Sequence, residues 1–252
     1  MDRESADEWI DDPRTPEADV CQTLRDQAWV NRWLGGAAAV LSHARPVLKN
    51  CSSNPIRVLD LGCGGGDISR HLADEARRLG RDVEIVDLDR SESVLGYARR
   101  ACKDYDEIRF VHADALAPPL ASASFDLVIL ATFLHHLRPD EAVIVLRTAG
   151  ELSRGTVIAA DLVRSRVAGG AFAILAHLLG LHPVSRHDGA ISVRRAYTPR
   201  ELAALARRAG IDESNVYRHP FYRLALVYEQ LSTRDAWMPS DTAPVAASTQ
   251  RQ

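Results

Sequence analysis

Lysine is nearly missing from this chain: its 252 residues include only Lys49 and Lys103, and the formal net charge is −3. A surface that tracks nucleic-acid phosphates needs a dense cationic stripe, so the expected partners do not include nucleic acid. Long apolar runs are missing too. The most apolar stretch, residues 167–181, is too short for a bilayer and is interrupted by His177, so no stable membrane insertion is expected. Cys21, Cys51, Cys63 and Cys102 show no paired metal spacing, and no cationic, apolar leader opens the chain, which makes a reducing cytoplasm the expected location. No internal repeat is apparent.

What the chain does have is core: 46% of its residues are hydrophobic, enough at this length for one substantial domain. Residues 1–18 are acidic and proline-punctuated, and residues 232–252 are rich in Ser, Thr, Ala and Pro, so both are expected to be disordered tails around a domain at 19–231. Within it, short apolar segments at 57–61, 83–86, 108–111, 125–131 and 156–160 read as strands. Between them lie stripes at helical spacing, such as Ile68, Leu72, Ala76 and Leu79, or Val94, Leu95, Ala98 and Cys102. Residues 125–131 are apolar almost throughout, which demands cover on both faces and a central place in the sheet. Thr198-Pro199-Arg200-Glu201 is a capping box with proline at the first helical position, and Gly210 stops that helix. Val216 and residues 224–228 read as two last strands. Alternating strands and helices predict an α/β fold, a doubly wound sheet with its ligand crevice beyond the strand carboxyl ends.

Residues 57–67 carry the most information: Arg-Val-Leu-Asp-Leu-Gly-Cys-Gly-Gly-Gly-Asp. An apolar strand runs into glycines that let the backbone turn sharply and approach a ligand, and a helix follows, whose first N–H groups are free. A dinucleotide site requires Gly-x-Gly-x-x-Gly, yet Asp67 stands where the third glycine belongs and its carboxylate would repel a pyrophosphate. Asp-x-Gly-x-Gly-x-Gly, by contrast, is complete as Asp60, Gly62, Gly64 and Gly66, and its leading acid suits a cationic ligand.

Here the chain resembles the class I S-adenosylmethionine-dependent methyltransferases. The resemblance implies a Rossmann-like, seven-stranded, mostly parallel sheet with N-terminal helices and a helical insertion after the fifth strand. It implies S-adenosyl-L-methionine as methyl donor and S-adenosyl-L-homocysteine as product, held by Asp60, Gly62, Cys63, Gly64, Gly66, Asp89, Arg90, Asp114, Ala115 and Ala131. Asp89 is preferred to Asp87 for the ribose because the family pattern puts that acid nine residues before a helix alanine, here Ala98. Asp114 falls where the family's acid takes the adenine amino group.

Methyl transfer from a sulfonium is an in-line displacement, so the enzyme must align the acceptor, exclude water and manage one acceptor proton. A phenol, with pKa about 10, benefits from a base titrating nearer neutrality. His135 and His136, leaving the fourth strand in a Leu-His-His-Leu step similar to small-molecule O-methyltransferases and quinone-pathway members, are the leading candidates. Asp161 is placed to orient one of them, and His187 beside Asp188 is the second choice. Two flanking segments are expected to choose an apolar, aromatic acceptor. One is a helical cap over 19–50, with Leu24, Ala28, Trp29, Trp33, Leu34 and Val40 as its apolar stripe and a break at Gly35-Gly36, where Asn31 and Arg32 could reach the donor's carboxylate. The other is a lid over 162–197, an apolar helix followed by a polar, glycine-bearing stretch at 186–197 whose histidine and arginines either face the pocket or belong to a hydrogen-bonded loop. No metal is expected, since the Asp, Asp, Asn set of metal-dependent catechol enzymes is absent. The reading is metal-independent, histidine-assisted O-methylation of an aromatic or polyketide-like small molecule by a monomer or homodimer. C-methylation of a quinone or phenolic ring and a donor-binding inactive partner subunit are the alternatives; Asp67 disfavours a nicotinamide oxidoreductase.

Overall fold

A computed structural model describes residues 3–211 and 215–229. Its strands are β1 (Ile56–Leu61), β2 (Val83–Asp89), β3 (Ile108–His112), β4 (Phe125–Ala131), β5 (Ser153–Leu162), β6 (Asn215–His219) and β7 (Arg223–Glu229). They form one sheet in the order β3-β2-β1-β4-β5-β7-β6, with β1 to β5 parallel and β7 antiparallel to β5 and β6. Strand order reverses between β1 and β4, so connections leave in opposite directions there and open a crevice beyond the strand ends.

The helices are α1 (Glu17–Trp33), α2 (Gly36–Asn50), α3 (Asp67–Arg78), α4 (Glu92–Ala101), α5 (Pro139–Leu152), α6 (Arg166–Leu178), α7 (Pro183–Arg195) and α8 (Pro199–Arg208). Strand alternation sorts the core into two layers. Val58, Leu127, Ile129 and Ile158 meet Val40 and Leu48 of α2 and Leu72 of α3, while Leu59, Val128, Leu130 and Val157 meet Leu146 of α5 and Leu202 of α8. As its sequence requires, β4 is covered on both faces. The capping box at α8 forms: Thr198 Oγ1 accepts from Glu201 N–H, Glu201 accepts from Thr198 N–H, and Gly210 turns left-handed at φ +81°.

Three segments depart from expectation. The acidic N-terminus is not a disordered tail; residues between Arg3 and Ile10 bond to α7, and a 3-10 turn forms at Trp9–Asp11. Its signal was the apolar pair Trp9 and Ile10 amid charges, too short for any period. In α1 the Trp29 and Trp33 side chains point outward, and the inward face holds Val20, Leu24, Asp26 and Asn31. Asp26 Oδ2 accepts from His182 N–H and Ser185 Oγ, so this polar residue is buried because it caps α7. Residues 186–195, expected as a loop, belong to α7, where Pro183 sits at the first turn and Gly189 makes room for the Phe172 ring of α6. The break in the cap holds: Gly35 adopts φ +78° between α1 and α2. Among the described residues no helix is long and apolar enough to cross a membrane. The expected C-terminal tail lies outside the described residues.

Candidate active site

The crevice is a cavity of about 1190 Å³. Gly62 and Gly64 line it with φ of +75° and +54°. A Cβ on Gly62 would overlap the Phe133 ring, whereas one on Gly64 would meet only Gln27 Oε1 at 3.9 Å, so the backbone at Gly64 is bare toward the cavity. Gly62 and Cys63 donate their N–H groups to Leu88 O, which ties the turn to the end of β2. Gly66 does not line the cavity. It adopts φ +67°, and a Cβ there would meet Cys102 Sγ at 2.9 Å and Asp87 Oδ2 at 3.1 Å, so this glycine tightens the turn from behind.

Asp60 is buried on the cavity wall, and its Oδ1 has no hydrogen-bond partner. Ser69 Oγ donates to Asp87 Oδ1 at 2.5 Å and lies 3.3 Å from Asp60 Oδ2. Burial and the neighbouring Asp87 push Asp60 well above the usual carboxylate range, and burial lifts Asp87 to about 7. A positive ligand beside this pair would favour its ionised form, so the wall suits a cation. Asp89 also lines the cavity, whereas Asp87 lies behind it; Asp89 accepts from Gly64 N–H at 3.1 Å and Ser91 N–H at 2.9 Å. Asp114, exposed and on the wall, accepts from Leu116 N–H. Cys63, Arg90, Ala115 and Ala131 line the wall as well, and burial raises the Cys63 thiol, which makes it a packing residue. The orphaned acid oxygen, the bare backbone at Gly64 and the acids at the strand tips fit a cationic nucleoside.

The two adjacent histidines part company in a 3-10 turn at Leu134–His136. His135 is 1% exposed and stays off the cavity. Its Nδ1–H donates to Asp161 Oδ1 at 2.7 Å, its N–H donates to Asp161 Oδ2 at 2.9 Å, and its Nε2 lies 3.5 Å from Glu8 Oε1. Burial opposes its charge, yet Asp161 and Glu8 raise its pKa to about 10, so it is a cation and no base. His136 lines the cavity, with Nδ1 3.0 Å from Asp11 Oδ2 and Nε2 3.8 Å from Glu8 Oε2. Burial works against the Glu8 charge, but His136 and His135 hold that carboxyl below its usual range. His187 stands off the cavity, stacked on Trp9 at 3.7 Å and bonded to Asp188 Oδ1. Glu8, His135 and His136 bring three ligand atoms within 4.8 Å of one another.

Glu8 and Asp11 were not foreseen, because nothing local in an acidic segment says which distant histidines it will meet. Asn31 lines the cavity but commits its Nδ2 to Asp67 Oδ2 at 3.1 Å, and Arg32 is exposed over Trp33. Ala168, Ala171, Phe172 and Leu175 of α6 give the cavity an apolar wall. Across it Phe221 and Tyr222 hold φ of +59° and +55°, left-handed values that bulky residues rarely adopt and that concentrate at ligand sites.

Comparison with known proteins agrees with the geometry. A family model described as a methyltransferase domain matches residues 58–155. The ubiquinone biosynthesis O-methyltransferase of Paraburkholderia phymatum is 31% identical over 194 residues, 74% of this chain and 74% of that protein. The 27-O-demethylrifamycin SV methyltransferase of Amycolatopsis mediterranei is 34% identical over 168 residues, 56% of this chain and 60% of that protein. A solved S-adenosylmethionine-dependent methyltransferase from Aquifex aeolicus shares the fold, with a TM-score of 0.61 at 15% identity over 84% of this chain and 98% of that one.

A doubly wound sheet whose crevice is bare at Gly64 and acidic at Asp60 and Asp89 defines a methyl-donor enzyme. The chain belongs to the class I S-adenosylmethionine-dependent methyltransferases, and it methylates a small molecule. Replacing Asp89 with alanine removes a cavity-wall carboxylate and the acceptor of the Gly64 and Ser91 N–H groups, which loosens the turn. We expect S-adenosylhomocysteine to bind one to two orders of magnitude more weakly by calorimetry, about 1–3 kcal/mol.

Proposed function

We propose that the acceptor is a hydroxyl of an apolar aromatic or polyketide-like small molecule and that His136 takes its proton without a metal. The observation that carries this reading is that, of the three histidines singled out from sequence, His136 alone lines the cavity. Asp11 Oδ2 lies 3.0 Å from His136 Nδ1, and in this reading Nδ1–H donates to that carboxylate. That tautomer leaves Nε2 as the basic nitrogen. The wall of Phe172, Leu175, Ala168 and Ala171 supports an apolar acceptor. Both relatives named above carry oxygen methylation in their names.

The test is incubation of the enzyme with donor and a panel of phenols and hydroxylated polyketides, with mass spectrometry and fragmentation of the product. O-methyl products formed equally well in chelator support the reading. Ring-methylated products would overturn the oxygen assignment, and loss of activity in chelator would turn the cluster of Glu8, His135 and His136 into a metal site.

A further inference from the structure

Arg223, the first residue of β7, is 4% exposed and lines the cavity, yet it forms no ion pair among the described residues. Its Nε–H donates to Leu34 O at 3.2 Å, and this is the one hydrogen bond of its guanidinium among those residues. The acids whose charge reaches it are already engaged: Asp161 with His135 and Leu162, and Asp67 with Asn31. Burial accordingly pulls its pKa down to about 10, despite both acids. A guanidinium withdrawn from water without an anion is unfavourable, and its two terminal nitrogens match a carboxylate in bidentate fashion.

We propose that Arg223 is the carboxylate subsite of this cavity. Leu34, which it bonds, and Asp67, whose charge reaches it, stand where α1 ends and α3 begins, the side on which the glycine turn closes. This location favours the α-carboxylate of the donor's methionyl group, while a carboxylate on the acceptor offers the same chemistry from the other side. The assignment is independent of which acceptor atom receives the methyl group.

Calorimetry on the wild type, R223Q and R223K with two probes separates these cases: S-adenosylhomocysteine, which has the carboxylate, and 5′-methylthioadenosine, which lacks the amino-acid end. R223Q should bind S-adenosylhomocysteine about 10- to 100-fold more weakly and methylthioadenosine within about twofold of wild type, with R223K intermediate. If S-adenosylhomocysteine binding is unchanged, enzyme saturated with it is heated with 4-hydroxybenzoate. Stabilisation of wild type that R223Q lacks assigns the carboxylate to the acceptor. Equal weakening for both nucleosides would make Arg223 a brace for the α1–α2 junction and overturn the proposal, as would no change in either arm. R223K is read in the same way should R223Q fail to fold.

Discussion

Replacing His136 with alanine should lower kcat by about 10²- to 10⁴-fold, the usual contribution of a positioned general base, while S-adenosylhomocysteine binds within about twofold of wild type. The separation follows from geometry. The acids and glycines of the donor end belong to β1, β2 and the turns after them, whereas His136 leaves the far side of the crevice after β4. Removing the imidazole therefore leaves the donor cradle intact. Asp11→Asn should produce a smaller fall, on the order of tenfold, because an amide can hold the ring but no longer dictates the tautomer that exposes Nε2. Single-turnover rates beside binding constants decide the matter. If H136A keeps more than a tenth of wild-type turnover, alignment of donor and acceptor suffices and no base operates at this position.

The glycine turn and the acids at the strand tips around it were readable in the sequence because the signals that place them are local. Asp60, Gly62, Gly64 and Asp89 each sit within a few residues of the strand end that aims them, and a backbone turn with φ above zero favours glycine on steric grounds. The sheet and α8 were readable for the same reason: apolar periods and a capping box are properties of short windows. The rest of the cavity wall is assembled over distance. Glu8 and Asp11 approach His136 across more than 120 positions, and Arg223 enters from the last strand. No spacing rule connects them. Adjacent histidines are equivalent in sequence until a 3-10 turn, closed by Leu137 N–H to Leu134 O, sends one into the core and the other to the cavity. α7 was obscured by its content: Arg186, His187, Asp188 and Gly189 read as a loop, yet Asp188 accepts from Trp9 and Ile10 N–H and Ser192 Oγ donates to Glu8 Oε1. Asp188 and Arg195 are buried in α7, where the N-terminal segment bonds to both.

Asp161→Ala should lower the melting temperature by roughly 6–12 °C at pH 6. The substitution leaves the His135 imidazolium buried and strips the acceptor from two backbone N–H groups, those of His135 and Leu162. Breaking a buried ion pair costs about 3–5 kcal/mol, and the lower end applies here because Glu8 remains 3.5 Å from His135 Nε2. A protein of this size loses about 2–4 °C per kcal/mol. The pH dependence distinguishes a charge effect from a packing defect. The His135 pKa is raised from 6.5 to about 10 in the fold, so its pairing stabilises fully below about 6.5 and is lost as pH rises through about 10. Asp161 is shifted downward, burial opposing but His135 and the backbone N–H groups prevailing, so its share is present above about 3.8 and fades on acidification. The melting gap between wild type and D161A should therefore be widest between about pH 4 and 6.5 and narrow toward pH 10. A gap of constant size across that range would mean that the cavity left by the carboxylate, not its charge, sets the loss.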